Sequence, residues 1–307
     1  MKIAILSKGP GNYSTKRLKE EAVKRGHEVE VINYIQCEAR IEQNNPIVMC
    51  NGEILQGFDA IIPRIASSYT RYGTAIVRQF EMQGVFTTAS SIAIVRSRDK
   101  LRATQLLARA GIGIPKTIFT RGSSTSEEID KLIDDLQGPP VIIKLARGTH
   151  GKGVVLAETR KAAKSVLQGF YVMDNEGTNI LLQEFIEESA GSDIRALVVG
   201  GRVVASIKRQ GLEDEFRSNT HLGGVGKPIK LTEEEEKTAV KAAKAMGLPI
   251  CGIDMMRSKR GPLVLEVNSS ASFKTPELVT DRNVAEKVIE YIERNAKGRQ
   301  KKDRVGA

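Results

Sequence analysis

The first 95 residues alternate short apolar runs with stretches in which apolar residues recur every three or four positions. Residues 2–6 read as a buried strand followed by a Gly-Pro-Gly turn, and a helix capped by Ser14 is predicted to run to Arg25, where Gly26 stops it. Residues 27–32 read as a second strand. After a polar excursion through Gln43-Asn44-Asn45-Pro46, residues 58–62 read as a third strand ended by Pro63, and residues 69–83 as a helix closed by Gly84. Strand and helix in turn give the βαβ layout of a parallel sheet. Glycines at 9 and 11 fall short of a dinucleotide fingerprint, and no acidic residue ends the second strand, so no nicotinamide site is expected.

The pattern changes after residue 95. Ser97-Arg98-Asp99-Lys100 opens a helix that extends to Ala110, and residues 96–115 form a linking segment. Between 116 and 190 the pieces are strand (116–119), a helix with Ser126 as its cap, strand (141–145), a glycine-bearing loop, strand (154–156), helix (159–170) and strand (180–185), a compact α+β unit. From 191 to 296, residues 194–199 and 203–208 read as strands joined at Gly200-Gly201. Thr232 followed by four glutamates starts a helix whose acids favour its positive end, so that acidic run is read as capping and not as a metal site. Strands at 253–256 and 263–267 and a helix at 284–295 complete this unit; residues 297–307 form a basic tail expected to be disordered.

Composition narrows the class. With 307 residues, 40% of them hydrophobic, the chain can fill the cores of two or three units. No apolar run approaches the roughly 18 residues a membrane helix needs, and Ser7-Lys8-Gly9 interrupts the N-terminal run before a signal-peptide core forms; the cytoplasm is the expected location. Three scattered cysteines and three isolated histidines argue against a disulfide framework, a zinc site or a catalytic triad. Cys251 is expected to act as a small buried hydrophobe. The net charge is +10, and the tail after residue 293 carries a large share of it. That tail could meet RNA or an acidic protein, or serve solubility alone.

Chemistry concentrates in the second half. In Arg147-Gly148-Thr149-His150-Gly151-Lys152-Gly153, the glycines at 148, 151 and 153 let backbone N–H groups turn toward a phosphate, although the spacing is not that of a P-loop. Lys144 lies in the apolar run at 141–145, where it either faces solvent or meets an anion such as a nucleotide phosphate. Glu266 and Asn268 share one side of an apolar strand, and Asp254 sits in a neighbouring one. If Lys259-Arg260-Gly261 turns one strand onto the other, Asp254 and Glu266 approach closely. Such oxygen donors suit magnesium; a buried salt bridge to Arg209 or Lys208 is the alternative. Lys208, Arg209, Arg217 and Asn219 are candidates for a polyphosphate clamp or for a solvated basic patch.

Several segments, in order, carry a family resemblance: Pro63-Arg64-Ile65, Arg98-Asp99-Lys100-Leu101-Arg102, the loop from Lys144 to Gly153, Gln183-Glu184-Phe185-Ile186, Gly191-Ser192-Asp193-Ile194-Arg195, Phe216-Arg217-Ser218-Asn219 and Glu266-Val267-Asn268. Over nearly its whole length the chain resembles the ATP-grasp superfamily, and within it the alpha-L-glutamate ligases that modify ribosomal protein S6. The resemblance implies an α/β and α+β molecule. It would have an N-terminal parallel-sheet pre-ATP-grasp domain (1–95), a linking helix (96–115), a small central lid domain with the glycine-rich loop (116–190) and a C-terminal catalytic domain with the magnesium site (191–296). Lys100 and Lys144 would bind ATP phosphates, with the glycines at 148, 151 and 153 in the loop over them. Glu184 and Phe185 would contact adenine, Asp193 ribose, and Arg217, Ser218 and Asn219 the nucleotide. Asp254, Glu266 and Asn268 would hold magnesium, or manganese in its place, as two ions. Lys144, Arg209 and Arg217 would act in catalysis.

The implied reaction passes the γ-phosphoryl group of ATP to a carboxylate and lets an amine displace phosphate. Implied partners are L-glutamate and an acceptor protein C-terminus, that of ribosomal protein S6, with ribosome contact and a homo-oligomeric, tetrameric assembly. One departure bears on the substrate: Ser269-Ser270-Ala271-Ser272-Phe273-Lys274 replaces the Pro-Gly turn that relatives carry after the asparagine, and Phe273 with Lys274 is expected to face substrate. A related ligase using another amino acid, or a small-molecule or amino-group carrier protein acceptor, is the alternative, and a noncatalytic RNA-binding or ribosome-associated protein a third reading.

Overall fold

A computed structural model describes residues 1–120, 125–145, 153–173, 179–212 and 225–296. In chain order the first unit comprises β1 (Lys2–Ser7), α1 (Tyr13–Lys24), β2 (Glu28–Ile32), β3 (Cys37–Glu42), β4 (Asn45–Cys50), β5 (Glu53–Leu55), β6 (Ala60–Arg64), α2 (Thr70–Met82) and β7 (Phe86–Thr87). Strands β2-β1-β6-β7 form a parallel sheet. Its central strand is apolar on both faces because both faces are covered. Pro63 does not end β6 as expected. It pairs with Leu6, and it is tolerated because β7 pairs only with Ala60 and Ile61, so no ladder bond on that side needs its missing N–H. The polar excursion at 43–46 is the tip of an antiparallel hairpin, β3 with β4, extended by β5. Asn44 and Asn51, both at positive φ, make its turns.

Helices α3 (Ser91–Arg98) and α4 (Lys100–Arg109) share Asp99 as the residue between them, and its carboxylate accepts from Arg102 N to cap α4. The central unit contains β8 (Thr117–Thr120), α5 (Ser126–Asp135), β9 (Val141–Leu145), β10 (Val154–Ala157), α6 (Arg160–Met173) and β11 (Ile180–Glu184), with an antiparallel sheet ordered β10-β9-β11-β8. Thr125, and not Ser126, caps α5: its hydroxyl accepts from Glu128 N.

The last unit comprises β12 (Ser192–Val199), β13 (Arg202–Gln210), β14 (Val225–Pro228), α7 (Glu233–Met246), β15 (Ile250–Ser258), β16 (Gly261–Asn268), α8 (Lys274–Thr280) and α9 (Val284–Asn295). Its antiparallel sheet runs β14-β13-β12-β15-β16. Gly200 and Gly201 turn β12 into β13 at positive φ, and Thr232 with Glu235 forms a capping box on α7, as the sequence suggests. Among the described residues no helix is long and apolar enough to cross a membrane.

Two clusters of buried side chains join the first and last units. Leu6, Phe80, Ile94, Leu107, Met246 and Ile253 belong to one, and Ile3, Ile5, Leu197, Phe273 and Ile289 to the other. The central unit keeps a core of its own around Ile129, Ile143, Leu167 and Leu182. Sequence and packing therefore give one large body, with a smaller unit packed as a separate piece beside it.

Candidate functional site

The face of the C-terminal sheet nearest the central unit carries a row of charges set by strand register. Asp193 on β12 lies opposite Arg209 on β13, Arg195 on β12 opposite Asp254 on β15, and Asp254 opposite Glu266 on β16. Period two on β12 puts Asp193 and Arg195 on one side, which is why neighbouring strands can answer both. Arg209 Nε donates to Asp193 Oδ1 at 2.7 Å, its Nη2 pairs with Asp193 Oδ2, and the same Nη2 lies 3.0 Å from Asp254 Oδ2. Arg195 grips Asp254 through Nε at 2.7 Å and Nη2 at 2.6 Å. Asn268 Nδ2 donates to Glu266 Oε1 at 2.9 Å and reaches Asp254 Oδ2 at 3.3 Å. Lys259 and Arg260 do form the turn between β15 and β16 that brings Asp254 to Glu266.

Burial makes this row electrostatically decisive. Asp254 and Arg209 are each 2% exposed. Burial alone would raise the Asp254 carboxyl, but the guanidiniums of Arg195 and Arg209 overcome it and hold the group well below the usual carboxylate range. Burial would lower Arg209; Asp254 and Asp193 instead raise it above its ordinary value. Glu266 shifts the other way. Its carboxyl reaches solvent at the cleft, yet the surrounding protein and the negative Asp254 beside it hold it above its ordinary value, against the Asn268 hydrogen bond.

Two lysines from other units complete the constellation. Lys144, on β9, donates from Nζ to Gln183 Oε1 at 2.6 Å, and Gln183 is held in turn by Thr117 Oγ1 at 2.8 Å. Burial lowers Lys144 to about 8; the negative Glu266 works against that shift and the positive Lys100 adds to it. Lys100, in the first turn of α4, donates to Leu145 O at 3.2 Å, and burial likewise lowers it against the pull of Glu266. Among the described residues neither lysine has a carboxylate at ion-pair distance. Lys144 lies between the two expected alternatives: it is half-buried, with its ammonium on Gln183.

The structure thus gathers Lys100, Lys144, Asp193, Arg209, Asp254, Glu266 and Asn268 about one cleft. It also shows what several are already engaged in. Both Asp193 oxygens meet Arg209, so the acid expected to bind ribose serves first as the counter-ion of a buried arginine. Glu184, expected at adenine, accepts from Lys116 N at 2.6 Å and from Arg260, and its own N–H donates to Lys116 O at 3.0 Å, so its side chain and its amide are both engaged. Gly153 sits at positive φ beside Leu145, whereas Gly148, Gly151, Arg217, Ser218 and Asn219 lie outside the described residues. Phe273 does not face substrate: it is 3% exposed, packs in the core shared by the first and last units, and lies under Arg64, whose guanidinium is 5.1 Å from the ring centroid. Gly252 permits this arrangement, because a Cβ there would come within 2.7 Å of Ala271 and lift the segment off the sheet.

Arg195 and Gln183 were not singled out as site residues by sequence. The alternation that pairs Arg195 with Asp193 on one strand face was the available signal for the first; for the second it was only a polar residue next to Glu184 at the end of an apolar run. Cys251 is the buried hydrophobe expected, with burial pushing its thiol up.

Residues 97–292 match the RimK-like ATP-grasp domain and residues 1–94 the RimK PreATP-grasp domain. The chain belongs to the RimK-like ATP-grasp family. It is a ligase of the class that forms carbon–nitrogen bonds. A protein of a Picosynechococcus species named probable alpha-L-glutamate ligase is 54% identical over 305 residues, covering 99% of each chain, and one of Vibrio cholerae with the same name is 51% identical over 304 residues, again covering 99% of each. Among solved structures, the ATP-grasp ligase PsnB complexed with minimal precursor, Mg and ADP superposes with a TM-score of 0.73 at 18% identity, covering 97% of this chain and 98% of that one. D-cycloserine synthetase DcsG gives 0.70 at 16%, covering 96% and 100%. These two likenesses speak to the fold.

Proposed function

We propose that this RimK-like ligase joins L-glutamate to the C-terminus of an acceptor protein, ribosomal protein S6 being the first candidate, through an acyl phosphate made with ATP. One observation carries the reading: Lys100 and Lys144, half-buried and, among the described residues, without a carboxylate at ion-pair distance, face a carboxylate–amide set at Asp254, Glu266 and Asn268 across a cleft. Counting the whole row, Lys100, Lys144, Arg195 and Arg209 exceed Asp193, Asp254 and Glu266 by one positive charge, and a polyphosphate satisfies the surplus. The name shared by relatives more than half identical over their full length supports glutamate as the added amino acid.

Lys144 and Lys100 hold phosphate oxygens in this reading. Gln183 keeps the Lys144 ammonium aimed, and Arg195 and Arg209 keep Asp254 ionised and fixed. Asp254, Glu266 and Asn268 offer two carboxylates and an amide oxygen that would hold a hard divalent cation, magnesium or manganese in its place, as two ions in the full site; the metal would supply positive charge to the transferring phosphoryl group. Among the described residues no cluster of three or more His, Cys, Asp or Glu competes for that role. Water exclusion falls to the central unit, whose separate core suits a lid over the cleft. The compartment is the cytoplasm.

The test is magnesium-dependent ADP release with a panel of amino acids, read alongside the mass of S6. Glutamate-dependent turnover with glutamyl increments on S6 is expected. Turnover that ignores glutamate and requires another amino acid overturns the substrate assignment, and no turnover with any combination overturns the ligase mechanism.

A further inference from the structure

A second concavity lies away from the nucleotide cleft, between β13 and helices α8 and α9. It measures ≈ 1080 Å³, just above the range that small-molecule pockets occupy. One wall is a strand edge. Strand β14 pairs with β13 only from Ile207 to Gln210, with one more bond from Ile229 N to Ser206 O, so among the described residues no strand covers Arg202 to Ala205. The backbone groups on that side are open to a further strand. An irregularity of the β12–β13 pairing at Leu197/Val198 twists the edge, which limits any addition to a short segment.

The lining is basic. Arg202, Lys230, Arg282 and Arg294 point into the concavity with no carboxylate partner among the described residues. Of the two acids there, Glu290 is neutralised by Lys287 at 2.8 Å, leaving Glu236. The surplus is three positive charges. Tyr291, the aromatic residue of the lining, packs against Gly200, where an added Cβ would come within 2.9 Å of its ring. A ring so engaged is not a platform for stacking bases, whereas an open strand edge matches a peptide backbone.

We infer that this groove is an exosite for an extended acidic peptide, which adds as a short strand along Arg202–Ala205 with its carboxylates toward Arg202, Lys230 and Arg282. The site rests on the ligase reading only for the source of such a peptide, a glutamate-rich acceptor or product tail. Arg209 of the nucleotide cleft stands on the same strand, about 23 Å from Arg202 along an extended chain, so the exosite would hold a tail at a distance from the reacting end.

The experiment is fluorescence anisotropy of fluorescein-labelled octa-α-L-glutamate with the full chain at low and moderate salt. Saturable binding that weakens with salt is expected. The double variant Arg202→Glu/Arg282→Glu should lose at least tenfold in affinity with an unchanged melting temperature, while Arg202→Lys/Arg282→Lys keeps it. An octamer N-methylated at alternate residues, equal in charge but short of backbone donors, should bind at least fivefold more weakly. Binding should persist in Lys144→Ala, which removes a nucleotide contact, while ligation falls; absence of ligation in the unaltered chain with peptide binding intact counts against the ligase reading alone. Unchanged affinity in the charge-reversed variant overturns the exosite, and equal binding of the N-methylated octamer overturns strand addition. Tighter binding of octauridylate at the same groove would assign it to nucleic acid and overturn the inference; so would dissociation of an oligomer by the charge-reversed variant with no effect of peptide.

Discussion

Arg209, buried, and Lys144, half-buried, are cations on neighbouring faces of one cleft, and their surroundings push them in opposite directions. Arg209 lies between Asp193 and Asp254 and is raised; among the described residues Lys144 donates to the neutral amide of Gln183 and to no carboxylate, and is lowered to about 8. The first arrangement is complete as it stands: two carboxylates and two guanidiniums cancel within one sheet face. The second is incomplete until an anion arrives. Burial costs Arg209 its hydration and Lys144 part of its own, so the carboxylate that Lys144 lacks among the described residues marks where a ligand's charge belongs, while the saturated partners at Arg209 mark a scaffold. Arg209, expected from sequence to act in catalysis, reads from its geometry as a positioning residue.

That contrast breaks most sharply at Arg209. Arg209→Met removes a counter-ion from each of Asp193 and Asp254, and it should cost about 3–5 kcal/mol of folding stability. Urea unfolding checks this, and a loss under about 1 kcal/mol would show that the row is not the scaffold argued here. Lys144→Met should do the reverse. Removing a phosphate contact is expected to lower ATP turnover by about 10²–10³. Stability at neutral pH should hold or rise, since a lysine whose folded value lies below its unfolded value opposes folding below about pH 8, a cost that is relieved as pH rises toward its ordinary 10.5. ADP release and urea unfolding on the same two variants give the comparison in one experiment.

Much of the scaffold was legible in the sequence, and for physical reasons the partners were not. Thr232 with Glu235, the Gly200-Gly201 turn and the pairing of Asp254 with Glu266 are local or follow from one turn, so residue spacing is enough to predict them. The engagement of Asp193 by Arg209 depends on strand register, and that of Lys144 by Gln183 on two strands nearly forty residues apart, which no single-strand pattern encodes. Pro63 misled because proline is read as a strand stop unless the strand's far neighbour is known to end first. Phe273 misled because its position in sequence suggested substrate, whereas the apolar ring found the core beneath Arg64.

The depressed Lys144 makes a pH prediction that separates it from Arg209. The charged lysine is the phosphate-binding form, so ADP affinity should be full below about pH 8 and decline as the free enzyme loses that proton. Between pH 7.5 and 9 the loss should reach roughly eightfold if bound phosphate keeps the lysine charged. Isothermal titration across that range checks it. Lys144→Met should bind weakly but with a flat profile, since Arg209 and Asp254 stay charged throughout. A slope that persists in the variant would move the titration to Lys100 or beyond.

The smallest effect is expected where the two units touch through charge at the surface. Arg260, in the turn that brings Asp254 to Glu266, pairs with Glu184 at the end of the central unit's strand, with side chains 57% and 16% exposed. An ion pair with one partner this exposed is worth about 0–1 kcal/mol. Arg260→Ala should leave stability within that range and change KM for ATP by less than about threefold. A larger rise in KM with kcat unchanged would mean that Arg260 holds Glu184 and Phe185 where the nucleotide meets them, and so that the joint between the units, and not only the buried row and the waiting lysine, sets the geometry of the cleft.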